Sequence, residues 1–192
     1  VITVAALTGT LKISEGISGF ANSAIWLIVG AFLFSRGFIK TGLGKRIAYN
    51  LISAFGSSSL RLAYALALSD LILAPATPSN TARVGGVIMP ITTSLAKAFG
   101  SEPQNGPRKI GSFLMQSIYQ VNTITSAMFQ TSMAGNTLVA ALALQSFGIG
   151  ITWGDWAMAA IVPGIIALII MPYFIYKVYP PEIKDAREAQ QR

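Results

Sequence analysis

The stretch Ala74-Pro-Ala-Thr-Pro-Ser-Asn-Thr-Ala-Arg-Val-Gly-Gly86 interrupts a chain that is otherwise largely apolar. Two prolines, three hydroxyl residues, an amide, an arginine and two glycines stand where a membrane-spanning helix would be expected to continue. Only 11% of the 192 residues are charged and 53% are hydrophobic, whereas an ordinary soluble domain carries about 25% charged residues. The chain is therefore read as an integral membrane protein. Hydrocarbon offers no partner to an exposed peptide group, so non-helical backbone at that depth persists only when buried in protein or facing a water-filled cavity. Breaks of this kind hold polar solutes in transporters.

The same composition narrows the chemistry. There is no histidine and no cysteine, which removes thiol nucleophiles, disulfides, His-ligated metals and His general bases. Of the seven carboxylates, only Asp70 lies near an apolar core, so neither an intramembrane hydrolase nor a carboxylate proton relay is expected, and no cofactor is implied. The net charge of +7 gathers at segment ends rather than in one patch, a pattern that sets topology and not nucleic-acid binding. The chain starts at Val1 without a basic leader, and the apolar run to Leu11 is too short to span. It reads as a fragment of a longer protein or a chain with a trimmed start.

The whole of 1–192 reads as one all-α membrane domain. Residues 20–59 are expected to form a spanning helix over 20–39, long enough for about 30 Å of hydrocarbon, then an amphipathic surface helix over 45–55. Residues 60–99 contain two short apolar arms around the polar break, which reads as a re-entrant hairpin. A single interrupted crossing helix is the alternative. Residues 110–148 would make a helix of about 58 Å, roughly twice the hydrocarbon thickness, and their middle is polar. A helix broken near Thr131–Asn136 is expected. Gln116, Gln120 and Thr123 share one helical face and are expected to pack inside the bundle. Residues 148–156 form a turn with Trp153 and Trp156 at the interface, and 157–179 span again. The tail after Pro180 is charged and expected on the surface.

Charge tests this topology. With a hairpin, the stretches 36–61, 97–109 and 177–192 lie on one side and hold twelve of the fourteen Lys and Arg residues, Lys12 and Arg83 being the two outside them. The turn at 148–156 holds none. The positive-inside rule makes the basic side cytoplasmic. A single crossing would divide these stretches between the two sides, so the bias favours the hairpin.

Ser79-Asn80-Thr81 offers hydroxyls, an amide and backbone N–H groups at a helix start. Pro78 can begin the turn, Ser, Asn and Thr cap helices, and donors at a helix N-terminus suit a carboxylate. A plain helix cap is the simpler alternative. Ser-Asn-Thr at a hairpin tip resembles the signature of the divalent anion:sodium symporter family. The longer stretch Thr77-Pro-Ser-Asn-Thr-Ala-Arg-Val-Gly-Gly86 resembles that of plastid 2-oxoglutarate/malate translocators and their bacterial citrate/succinate-exchanger relatives. Three further blocks are similar: Asn22-Ser-Ala-Ile-Trp-Leu-Ile-Val29, Arg36-Gly-Phe-Ile-Lys-Thr-Gly-Leu-Gly-Lys-Arg-Ile-Ala48 and Ser126-Ala-Met-Phe-Gln-Thr-Ser-Met-Ala-Gly-Asn136.

The resemblance implies an inverted-repeat secondary transporter, usually a homodimer, that moves dicarboxylates by an elevator-like alternation. This chain matches the N-terminal repeat and would work with a C-terminal repeat of the same protein. The implied substrates are 2-oxoglutarate, malate and succinate, exchanged across a bacterial inner membrane or a plastid inner envelope. Ser79, Asn80 and Thr81 would hold a carboxylate, Thr131, Ser132 and Asn136 would close the site from the broken helix, and Arg83 would supply positive charge. A Na⁺-coupled symporter, with the ion near Ser79, Asn80 and Gly135, is the first alternative. A channel-like or structural membrane subunit is the second. For Thr131–Asn136 the plain reading is interhelical hydrogen bonding. Arginine inside a membrane is functional by default, yet Arg83 could also pair structurally with Asp70 or with carbonyls.

Overall fold

The computed structural model describes residues 1–21 and 23–185. Asn22 and residues 186–192, on which most of the expected solvated tail falls, lie outside the described residues. The fold is all-α. Its helices are α1 (Ile2–Leu7), α2 (Ile13–Gly16), α3 (Ser23–Lys40), α4 (Leu43–Phe55), α5 (Ser59–Leu73), α6 (Asn80–Arg83), α7 (Met89–Ala98), α8 (Gly111–Met128), α9 (Ala134–Phe147) and α10 (Trp153–Val178).

Helix α8 is the axis on which the others are laid. Helix α5 runs beside it in the same direction, so that Asp70 meets Thr125 and Thr131 meets the Pro75 carbonyl. After the tip the chain reverses: Arg83 reaches Ser126 and the end of α7 lies beside Gly111. Helices α5 and α7 are thus the arms of a hairpin whose tip sits at the far end of α8. Helix α10 returns antiparallel to α8, and Tyr176 meets Phe113 edge-on at 5.8 Å. The main core gathers Leu62, Leu66, Ile88, Ile91, Phe113 and Leu114 between these four helices. At 1.5 Å per residue α5 is only about 22 Å long, whereas α10 is about 39 Å.

Among the described residues, Ser59–Ala76 and Trp153–Val178 are the two stretches long and apolar enough to cross a membrane. The first is more than half covered by the rest of the chain. The second is largely uncovered, with Ile161, Val162, Ile165, Ile166 and Ile169 turned outward.

The polar break is narrower than its composition suggests. Residues Ala74–Ala76 form a 3₁₀ turn and α6 begins at Asn80, which leaves Thr77, Pro78 and Ser79 as the non-helical link. The helix then continues to Ala98 through a π-helical stretch, Val84–Ile88, in which the Met89 N–H donates to the Val84 carbonyl. Pro90 explains the wider turn. It has no N–H for the Gly86 carbonyl, and in a regular α-helix its ring would press on that carbonyl. The break in the second long helix comes slightly earlier than Thr131–Asn136. Helix α8 stops at Met128, Gln130–Ser132 form a 3₁₀ turn, and Asn136 already belongs to α9.

The opposite end is closed by loops. The Ser59 N–H donates to the Lys184 carbonyl, its hydroxyl donates to the Ile183 carbonyl, and the Ile183 N–H donates to the Lys109 carbonyl. Buried Ser101 caps the start of α8, where its Oγ accepts from the Gly111 N–H at 2.9 Å and donates to the Gly106 carbonyl at 2.8 Å. A side chain on Gly111 would meet that Oγ at 2.9 Å, so glycine is required for the approach. Ser101→Ala leaves a buried N–H without its acceptor and is expected to cost about 1–3 kcal/mol. Thermal unfolding in detergent would read this as a lowered midpoint, and an unchanged midpoint would count against the cap.

Candidate functional site

The hairpin tip and the break after α8 lie against each other. The Thr131 hydroxyl donates to the Pro75 carbonyl at 2.8 Å and accepts from Trp153 Nε1 at 3.0 Å. The Trp153 ring stacks on Phe129 with centroids 5.8 Å apart, and Trp156 Nε1 donates to the Ala127 carbonyl at 2.9 Å. The two tryptophans, expected at the membrane interface within a turn, stand in the first turn of α10 and brace the break.

Breaking α8 strands its last carbonyls, as every helix end does. Ser132 and Asn136 supply the missing donors. Ser132 Oγ lies 2.6 Å from the Ser126 carbonyl, and Asn136 Nδ2 donates to the Ser126 and Phe129 carbonyls at 2.7 and 2.9 Å. Thr137 Oγ1 donates to the Gln130 carbonyl at 3.2 Å. Polar side chains in this run thus satisfy carbonyls that the helix leaves where it stops inside the protein.

Arg83 occupies the junction and is fully buried, at 0% exposure. Its Nε donates to Asp70 Oδ1 at 2.8 Å. Nη1 donates to the Thr77 and Ser132 carbonyls at 3.1 and 3.2 Å, and Nη2 donates to Thr125 Oγ1 and Ser126 Oγ at 3.3 and 3.1 Å. Asp70 is buried in turn and also accepts from the Thr125 hydroxyl and from Asn122 Nδ2 at 3.4 Å. Of the two structural partners open to Arg83 from sequence, Asp70 and carbonyls, it takes both.

The seven expected site residues therefore cluster, but their free hydrogen-bonding capacity differs. Thr131, Ser132, Asn136 and Arg83 already spend donors inside the protein. The tip does not. Ser79 Oγ accepts from the Ala82 N–H at 3.2 Å, which leaves its own proton to donate, and Asn80 Oδ1 accepts from the Thr81 N–H at 2.9 Å. Among the described residues no hydrogen bond engages Asn80 Nδ2 or the Ser79 and Asn80 backbone N–H groups. Ser79 and Asn80 are half-buried and Thr81 is exposed. This is a compact set of neutral donors at the start of the helical run 80–98.

Thr125 and Ser126 were visible in sequence only as part of a polar helix middle. Their bonds to Arg83 span 42 and 43 residues, beyond any local pattern. Gln116 and Thr123, expected inside the bundle, are exposed within this chain. Gln116 and Gln120 line a groove of about 520 Å³ between α8 and α10, whose other wall includes Met171, Phe174 and Val178.

Comparison with known proteins adds a different kind of observation. A family model described as the sodium:sulfate symporter transmembrane region matches residues 1–192. A putative malate transporter of Bacillus subtilis is 59% identical over 189 residues, which is 98% of this chain and 40% of that protein. A chloroplastic dicarboxylate transporter 1 of Spinacia oleracea is 50% identical over 184 residues, 95% of this chain and 32% of that protein. An L-tartrate/succinate antiporter of Escherichia coli is 42% identical over 175 residues, 91% of this chain and 36% of that protein. The chain thus spans 32–40% of the length of these relatives.

Proposed function

The chain belongs to the sodium:sulfate symporter transmembrane-region family, and from that premise we propose that it is the N-terminal repeat of a secondary transporter that exchanges C4–C5 dicarboxylates. The observation that carries the proposal is the tip, where the Ser79 hydroxyl, the Asn80 amide and two backbone N–H groups stand uncommitted among the described residues beside a braced break in the facing helix. One carboxylate of the solute is received by the Ser79 hydroxyl, the Asn80 amide, the Thr81 hydroxyl and the adjacent backbone N–H groups. Thr131, Ser132 and Asn136 wall the site from the break. The second carboxylate and the rest of the cavity come from outside these 192 residues, in a C-terminal repeat of the same protein, and the transporter works as a homodimer. The relatives named as malate, dicarboxylate and tartrate/succinate transporters support this substrate class.

The hairpin is re-entrant in this proposal. Its arms are short for a membrane crossing, and the basic loops at both its ends then share the cytoplasmic side. The membrane is a bacterial inner membrane. The cycle is an elevator-like alternation, and no step requires Na⁺.

Uptake of labelled 2-oxoglutarate by the complete transporter in proteoliposomes tests the reading, with and without internal malate, in Na⁺ and in K⁺. Exchange predicts uptake only with internal dicarboxylate and equally in both salts. Uptake without internal dicarboxylate would exclude strict exchange, and dependence on Na⁺ would indicate symport. Asn80→Asp keeps the carbonyl that accepts from the Thr81 N–H but sets a negative charge against the solute. A hydrogen bond to a charged group contributes about 1.5–3 kcal/mol, so its loss should raise the apparent KM by roughly 10- to 150-fold. An unchanged KM would remove Asn80 from the site.

A further inference from the structure

The guanidinium group has five N–H donors in a rigid plane, and here five acceptors meet them. They come from different parts of the chain: Asp70 on α5, Thr77 at the tip, Thr125 and Ser126 near the end of α8, and Ser132 in the break. The side chain has no exposed surface. The Asp70 carboxylate at 2.8 Å cancels its charge. Such an arginine has neither a spare donor nor a net charge to offer a solute. Lysine could not replace it, since an ammonium brings three donors and no planar fork.

We infer that Arg83 is a positioning residue and not the counter-charge of the solute: it fixes the hairpin tip against the break of the facing helix, with Asp70 as its anchor. The inference rests on the proposed reading of the tip as a carboxylate site. It replaces the expectation that Arg83 supplies positive charge there. Within this chain the carboxylate is then met by neutral donors alone, and Arg83 governs transport by setting where those donors stand relative to Thr131 and Ser132.

Two variants of the complete transporter separate the roles. Arg83→Lys keeps the charge and loses the fork. Positioning predicts that it exchanges at least about tenfold more slowly than wild type, whereas a counter-charge role predicts near-normal exchange, and that result would overturn the inference. Arg83→Ala leaves a cavity shaped for a guanidinium ion and lined by a carboxylate, two hydroxyls and two carbonyls. Millimolar guanidinium is expected to restore exchange several-fold, with the KM for 2-oxoglutarate within about threefold of wild type. Tetramethylammonium should restore nothing, and adding Asp70→Asn should abolish the rescue. A KM raised about tenfold or more, and unmoved by guanidinium, would place Arg83 on the solute. Trp153 emission, read in a Trp26→Phe/Trp156→Phe background, provides a measure independent of transport, because that indole is bonded to Thr131 and stacked on Phe129. Arg83→Ala should shift the emission and guanidinium should reverse the shift, and an unshifted spectrum would also overturn the inference. Wild-type protein that exchanges no dicarboxylate would defeat the proposed function instead, leaving the emission test standing.

Discussion

Replacing Asp70 with Asn is expected to destabilise the protein by about 3–5 kcal/mol, the usual cost of removing one partner from a buried ion pair. The carboxylate is 2% exposed and receives Arg83 Nε, the Thr125 hydroxyl and the Asn122 amide. The neutral amide removes the negative charge and introduces an N–H₂ group where donors already point inward. Arg83 would remain charged without compensation in a site closed to water. Domains are commonly stable by only about 5–15 kcal/mol, so the loss is a large share of the total. Thermal unfolding of the purified protein in detergent would show it as a marked fall in midpoint. The double variant Asp70→Asn/Arg83→Gln should lose less than the sum of the two single changes, because contacting charges couple by about 0.5–3 kcal/mol. Strict additivity would mean that the two side chains do not act as a pair.

A second large effect is expected at Gly164. A Cβ built there would fall 2.6 to 2.7 Å from Cγ, Sδ and Cε of Met128. Methionine usually yields by swinging its end, but here three consecutive atoms are struck at once. Met128 is 2% exposed and is the last residue of α8, so movement in any direction disturbs the break. Gly164→Ala should cost about 1–3 kcal/mol, the range for overpacking a core, and Gly164→Leu more. Since α10 also carries the tryptophans that hold Thr131 and Ala127, the larger side chain should pry these contacts open. Slower exchange would then accompany the lower melting midpoint. Met128→Ala should recover much of the stability of Gly164→Ala, and failure to do so would show that the conflict lies elsewhere.

What the amino-acid order reveals here is mostly what is local. The Pro-Ser-Asn-Thr run marks a turn and a helix start by residue type alone, and the polar middle of the stretch 110–148 announces a helix that cannot stay whole. Both inferences need only propensities and the cost of polar groups in an apolar setting. The junction between these breaks is not local. Arg83 and Asp70 were recognisable as costly residues, but their three-dimensional neighbours Thr125, Ser126 and Ser132 lie more than forty positions on. Trp153 and Trp156 fit the general habit of tryptophan at membrane boundaries, and that habit concealed their bonds to the break. The Gln116–Thr123 face is legible only in part: within this chain Gln116 and Thr123 are exposed. A polar helical stripe says that partners exist, not which part of the protein brings them.

The π-helical stretch Val84–Ile88 has a consequence for how this hairpin tolerates insertion and deletion. Residues before it must aim Arg83 at Asp70, and residues after it must aim Ile91 and its neighbours at the core. One residue of an α-helix turns through about 100°, so the added residue of the wider turn acts as a phase shifter between two faces that need different bearings. Deleting Gly85 would close the wider turn, press the Pro90 ring on the carbonyl four residues before it, and rotate either the buried arginine or the apolar face out of register.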